Sequence, residues 1–179
     1  MPQTITLSDR SFRLYITESE IQQAIKEIAE QINVDYKDKT PLIIPVLNGS
    51  FMFASDLVKQ LNCQCEISFI KASSYQGTSS SGDLQTLIGI NENISGRDII
   101  LLEDIVDTGH TLSKIIPTIK ELNPASIRVA TLLFKPAALK AEIETDYIGI
   151  EIANKFIVGY GLDYNGLGRN LKEIYQEIK

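Results

Sequence analysis

Two neighbouring carboxylates, Glu103 and Asp104, stand just ahead of the loop Asp107-Thr108-Gly109-His110-Thr111. Two threonine hydroxyls, with the backbone amides of a turn that enters a helix, can converge on an anion the size of a monophosphate. Carboxylates beside such an anion would repel it. Glu103 and Asp104 must therefore face something else: vicinal sugar hydroxyls, a divalent cation, or both. Together the three elements sketch a ribose 5-phosphate. What positions them is Ile99-Ile100-Leu101-Leu102, an apolar run entered from the turn-like Ser95-Gly96-Arg97-Asp98. Such a run suits a strand covered on both faces, as in a parallel sheet. Ligands of these sheets bind beyond the strands' carboxyl ends, which is where the spacing puts both acids.

The rest of the chain supplies a frame of that kind. Thr17 and Glu20 form a capping box ahead of Ile21, Ala24, Ile25, Ile28, Ala29 and Ile32, so an amphipathic helix is expected over residues 18–33. Leu42 to Leu47 reads as a buried strand in which Pro45 removes a ladder donor, implying an edge position or an irregularity. A second helix follows from Phe51 to Leu61, then a strand from Ile67 to Lys71. Ser73 to Asp83, rich in Ser and Gly, reads as a mobile loop. A helix over residues 112–122 should be kinked or shortened by Pro117. Ile127 to Phe134 and Tyr147 to Ile150 are expected strands, and Leu171 to Ile178 a closing helix. This order favours an α/β fold with a mostly parallel, helix-flanked sheet.

At 179 residues the chain suits one domain, spanning 1–179, and its 44% hydrophobic and 22% charged content is ordinary for a soluble globular protein. No segment is long and apolar enough to span a bilayer, and the start lacks the pattern of a secretory signal, so the cytoplasm is the expected location. A net charge of −6 argues against a broad nucleic-acid surface. Phosphates must then be met locally, by Lys135, Lys155, Arg169, Lys71, backbone amides and a metal. Cys63 and Cys65, with a single His in the chain, leave too few partners for a closed zinc site and read as reduced structural thiols.

The stretch from Glu103 to Thr111 resembles the phosphoribosyl pyrophosphate motif of the type I phosphoribosyltransferases: two acids followed by an Asp-Thr-Gly-x-Thr phosphate loop. Lys135, the run Lys155-Phe156-Ile157-Val158-Gly159-Tyr160-Gly161-Leu162-Asp163-Tyr164, and Arg169 are similar to the purine and metal elements of that family's hypoxanthine-guanine branch. Ser74-Tyr75 resembles the branch's closing loop, and Leu47-Asn48-Gly49-Ser50 its pyrophosphate loop. The likeness runs in order from about residue 42 to 171. It implies the type I phosphoribosyltransferase fold, with a small hood built from the chain's ends over the carboxyl edge of the sheet.

The resemblance also implies a reaction: a 6-oxopurine, hypoxanthine more securely than guanine or xanthine, joins the anomeric carbon of phosphoribosyl pyrophosphate. It implies Mg2+ held by Glu103, Asp104 and Asp163, and the 5-phosphate held by Thr108, Gly109, His110, Thr111 and Leu112. Asp107 is then the general base, taking the proton of the imidazole ring. Lys135 meets the exocyclic oxygen, Phe156 stacks on the base, Ile157 offers backbone hydrogen bonds, and Asp163 completes the purine end. Asn48, Gly49 and Arg169 take pyrophosphate. By pattern alone Asp107 is equally a helix cap, Lys135 a surface lysine, Phe156 a core residue and Arg169 half of a surface ion pair. Many relatives carry a basic residue where Asn48 stands, so this loop leans on amides, through a strained or cis peptide. His110 either donates to phosphate or points at water. Relatives are dimers and tetramers, which implies a homo-oligomer. The rival reading is a regulator that keeps the fold, senses phosphoribosyl pyrophosphate or a nucleotide, and binds nucleic acid; it needs a basic face, which this acidic chain lacks.

Overall fold

The computed structural model describes residues 3–74, 84–89 and 92–178. In chain order the elements are β1 (Thr4–Leu7), β2 (Arg10–Ile16), α1 (Glu18–Asp35), β3 (Leu42–Leu47), α2 (Phe51–Val58), β4 (Glu66–Ile67), β5 (Ile70–Ser74), β6 (Leu84–Ile88), β7 (Asp98–Val106), α3 (His110–Lys120), β8 (Ser126–Phe134), a short 3-10 turn (Pro136–Ala138), β9 (Tyr147–Glu151), β10 (Ile157–Val158) and β11 (Ile174–Glu177). The larger sheet runs β6-β5-β3-β7-β8-β9, with β4 also paired to β3. Its strands are parallel except for the antiparallel β5–β6 pair. The smaller sheet, β1-β2-β11-β10, is antiparallel and draws on both ends of the chain, as the resemblance implies.

Helix α1 starts where its capping box says it should. The Thr17 hydroxyl accepts the Glu20 amide at 3.3 Å and the Glu20 carboxylate accepts the Thr17 amide at 2.8 Å. All six apolar positions anticipated in it are buried. They pack with α2 and with Ile43, Ile100, Leu102 and Ala130 on one face of the sheet. On the other face α3 packs through Leu112, Ile115 and Ile119 on Leu42, Ile44, Ile99 and Leu101. β3 and β7 are covered on both sides, hence their unbroken apolar runs.

Several elements differ from expectation. β3 is interior rather than an edge, and Pro45 sits where the ladder partner changes from β4, at Leu42 and Ile43, to β5, at Val46 and Leu47. The irregularity falls on the residue without a donor. α2 is shorter than expected, ending at Val58. α3 begins two residues early and continues past Pro117, which lies on its exposed side, where water can meet the carbonyl left without a helix partner. Of the expected loop, Ser73 and Ser74 belong to β5, paired with β6, and residues 75–83 lie outside the described part.

The closing helix expected over Leu171 to Ile178 is instead strand β11, paired with β2 and β10. Ile174 turns into the main core while Tyr175 joins Phe12 and Val158 in the hood's own core. Strand alternation sends these neighbours to opposite faces, and the register against β2 shifts between them. Ile16, Ile157 and Ile174 carry the hood into the main core, fixing it relative to the larger sheet.

Candidate active site

The parallel strands β3, β7 and β8 end at Leu47, Val106 and Phe134, so the segments that follow open at one edge of the sheet. Between the first two lies a cleft of about 290 Å3, lined by Gly49, Glu103, Asp104 and every residue from Ile105 to Leu112. Glu103 and Asp104 are inside β7 rather than at its end, since the strand runs on to Val106. Strict alternation would send adjacent side chains to opposite faces. Here the β7–β8 ladder pairs Glu103 with Thr131 and Ile105 with Leu133 and has no pair at Asp104. The register is the same on either side of it, and both acids border the same cleft.

Burial sets their charge. The Glu103 carboxyl is pushed well above the usual range by burial and then by the charge of Asp104. Asp104 is pushed up from 3.8 to about 6, first by burial and further by Asp163, against the lowering by the Ile105 amide and Arg169. The Ile105 N–H donates to Asp104 Oδ1 at 2.8 Å. A carboxyl with a raised folded-state pKa destabilises the fold once ionised. From about pH 4 to 6 the folded protein binds this proton more tightly than the unfolded chain does, so stability falls as pH rises through that window. Asp104→Asn keeps the acceptor for Ile105 and removes the charge. The melting temperature of the metal-free variant should exceed that of the parent by about 4 °C at pH 8, the gain disappearing near pH 4. A lower melting temperature at pH 8 would reject this account of the acid pair.

The Leu47–Asn48 peptide bond is cis, the form the resemblance allowed for. Gly49, the next residue, lies against Asp104, where a Cβ would come 1.6 Å from Oδ2. Gly161 of the hood is equally close on the other side, its own Cβ position only 1.9 Å from the Gly49 carbonyl oxygen. Lys71 stands beside this loop, opposite Leu47 in the β3–β5 ladder.

The phosphate-type loop turns at Gly109, whose φ of +77° suits glycine, and whose Cα faces Leu139, Ala141 and Ile143 at distances a Cβ would crowd. The Thr108 carbonyl accepts the amides of Lys140 and Ala141, both at 3.1 Å, tying the loop to the segment after β8. α3 has no side-chain cap and no acid in its first turn, so its N-terminal amides are disposed toward an anion. Thr108, His110 and Thr111 line the cleft, and the buried Leu112 forms its floor.

A second cleft, of about 220 Å3, shares Gly49, Asp104, Ile105 and Asp107 with the first and adds Lys135, Phe156, Ile157, Leu162, Asp163 and Arg169. The Lys135 ammonium donates to Asp107 Oδ2 at 2.6 Å. Its side chain is only 7% exposed against 43% for Asp107, so a buried cation reaches out to a wetter carboxylate. Phe156, which pattern alone would place in a core, is 43% exposed and lines the cleft. The Ile157 side chain packs in the main core, so it matters to the fold even if only its backbone faces a ligand. Arg169 pairs with Asp163 Oδ1 at 2.6 Å and donates to the Gly161 carbonyl at 2.6 Å, while the Gly166 amide donates to Asp163 Oδ2 at 2.7 Å. Lys155 does not join this group: it lies with Arg13 and Gln176 in a separate cleft that Phe156 also borders. Ser74 ends β5, and Tyr75 lies outside the described residues. Leu162, within the run likened to the purine and metal elements though given no role of its own, also borders the second cleft.

Residues 16–165 match the family model described as a phosphoribosyl transferase domain. The chain is 44% identical over 160 residues to the hypoxanthine-guanine phosphoribosyltransferase of Streptococcus pyogenes, covering 89% of each protein. It is 40% identical over 173 residues to the bifunctional protein TilS/HprT of Listeria monocytogenes, of whose length it spans 27%. A crystal structure of a hypoxanthine-guanine phosphoribosyltransferase from Bacillus anthracis superposes with a TM-score of 0.87 at 37% identity, over 92% of this chain and 98% of that one.

Proposed function

The chain belongs to the phosphoribosyl transferase family, and from that premise we propose that it joins hypoxanthine, and guanine as well, to the anomeric carbon of phosphoribosyl pyrophosphate, making a purine nucleoside monophosphate and releasing pyrophosphate. One observation carries this reading: a Lys135–Asp107 pair, 2.6 Å apart, in a cleft continuous with an anion-binding loop. Such a pair offers one donor and one acceptor, which is what the oxygen and ring N–H of a 6-oxopurine require.

The chemistry follows charge. As pyrophosphate departs, positive charge spreads over the ribose ring. Glu103 and Asp104 hold the ribose hydroxyls beside it, and Asp104, ionised above about pH 6, lends its negative charge. Asp107 takes the imidazole proton as the glycosidic bond forms. The Lys135 ammonium has three N–H donors, so it can keep Asp107 while a second donor reaches the exocyclic oxygen. Adenine carries an amino donor at that position and meets a donor with a donor. Thr108 to Thr111, with the amides of α3's first turn, bind the 5-phosphate. Arg169 leaves Asp163 for the paired oxygens of pyrophosphate, which its planar fork suits. The reading of residues 1–179 as one domain is supported by a main core that draws on both hood and sheet.

Glu103, Asp104 and Asp163 are hard oxygen donors suited to Mg2+. Among the described residues no group of three or more His, Cys, Asp or Glu side chains is arranged to enclose an ion. These acids alone would not enclose the cation, which would take most of its ligands from water and substrate oxygens. When bound it supplies charge neutralisation at the leaving oxygen. Among the described residues no helix is long and apolar enough to cross a membrane. The two free thiols, Cys63 and Cys65, suit a reducing compartment such as the cytoplasm. Assembly as a homodimer or homotetramer follows the family's habit.

Incubating the protein with magnesium, phosphoribosyl pyrophosphate and each purine in turn, then separating the products, tests the proposal. Nucleotide from hypoxanthine is expected at a kcat/KM far above that for adenine; no nucleotide from any 6-oxopurine ends it. Lys135→Met fills the same buried volume without the donor. It should lower kcat/KM for hypoxanthine by roughly ten- to a hundredfold, the worth of a charged hydrogen bond, with little change toward adenine. An unaltered ratio between the two purines would remove Lys135 from purine recognition.

A further inference from the structure

Phe156 is half exposed, yet its ring is held from three directions. Phe12, fully buried, lies behind it with centroids 6.2 Å apart. Tyr164 meets it edge to face, 5.9 Å away at 86°. Arg10 closes the cluster from the hood's first hairpin, its guanidinium carbon 4.6 Å from the Tyr164 centroid and 5.6 Å from that of Phe156. Arg10 is itself anchored, donating to Glu177 Oε1 at 2.9 Å. Its neighbour Asp9 accepts the Tyr164 hydroxyl at 2.8 Å, so one turn grips Tyr164 by both face and hydroxyl. Arg10 lines neither cleft of the site and reaches it only through these rings.

We infer that Arg10 is a positioning residue for purine binding: its guanidinium, spread over Tyr164 and Phe156 and tethered by Glu177, fixes the aromatic shelf before the base arrives. This rests on the reading of Phe156 as that shelf. A planar, weakly hydrated cation over two ring faces is attracted by both and costs less to desolvate than an ammonium. Holding the rings in place leaves less side-chain freedom to be lost on binding. The phosphoribosyl end does not depend on this contact, because Arg10 borders neither cleft and Asp163 is held separately by the Gly166 amide. Arg10 therefore acts on the purine alone.

The test is steady-state kinetics on Arg10→Met, Arg10→Lys, Glu177→Gln and Phe156→Ala in the full chain. Arg10→Met should raise KM for hypoxanthine roughly three- to fivefold, with kcat and KM for phosphoribosyl pyrophosphate within about twofold of the parent. Arg10→Lys should recover about half of the loss, and Glu177→Gln should move the same KM in the same direction by less. Unchanged purine KM in Arg10→Met, alongside a raised one in Phe156→Ala, overturns the role of Arg10 while leaving the shelf. No change in Phe156→Ala overturns the shelf and this inference with it. Equal damage to both substrates' KM and to kcat, without rescue by Lys, reduces Arg10 to a structural residue and equally rejects the proposal.

Discussion

Asp107→Asn should lower kcat by roughly a hundredfold or more while leaving the KM of each substrate within a few fold of the parent. The expectation follows from what the substitution keeps. Asparagine still presents an oxygen to the Lys135 ammonium, now 2.6 Å from the carboxylate, so this buried cation is not stranded and the purine cleft keeps its shape. What is lost is the capacity to hold a proton. Because Asp107 borders both the phosphate cleft and the purine cleft, a base bound there would present its imidazole edge to this side chain. Binding draws on contacts that asparagine preserves, whereas turnover requires the proton to leave as the new bond forms. Single-turnover and steady-state rates with hypoxanthine measure the difference. An unchanged kcat would reject Asp107 as the base, and a loss confined to KM would make it a binding residue only.

The parts of the fold that were legible in the sequence are those whose burial is local and regular. α1 carries its capping box and its 3.6-residue apolar period within one stretch, and both are realised. β7 and β8 are apolar runs too continuous for a half-exposed strand. The C-terminal strand shows the opposite case. Leu171 to Ile178 is rich in good helix formers, but Ile174 and Tyr175 are buried against β2, a partner at the far end of the chain. Tertiary pairing overrides the local preference. Pro45 was ambiguous for a related reason: a missing donor signals a break in the ladder, and only the neighbouring strands show whether that break is an edge or a change of partner.

The site divides in the same way. The acids and the phosphate-type loop sit within one short stretch, so their proximity is inherited from the chain. The Lys135–Asp107 contact joins segments that no local pattern relates, whereas the Asp163–Arg169 pair is the ion pair that pattern alone allowed for Arg169. Arg10, with nothing in its surroundings to mark it, meets Tyr164 because the hood closes on itself.

Gly49→Ala should be as damaging as the loss of the base, by a different route. The added methyl would lie 1.6 Å from Asp104 Oδ2 and 2.5 Å from its Cγ, so one of the two must move. Asp104 cannot simply swing aside, because its other oxygen holds the Ile105 amide at 2.8 Å inside the strand. Gly49 cannot retreat, because its carbonyl already fills the space where a Gly161 side chain would be. The clash therefore displaces either the acid or the loop, and both belong to the phosphoribosyl pyrophosphate end of the site. A misplacement of about 1 Å there is enough to cost roughly a hundredfold in kcat/KM for phosphoribosyl pyrophosphate. The overpacking should also lower stability by about 1–3 kcal/mol. Unlike Asp107→Asn, this variant should raise KM for phosphoribosyl pyrophosphate as well as lower kcat, while hypoxanthine analogues that need no phosphoribosyl group still bind the purine cleft. Calorimetric titration with such an analogue separates local displacement from general unfolding. Parent-like KM and kcat in Gly49→Ala would show that the contact between loop and acid gives way freely, and the site would then be far softer than its packing implies.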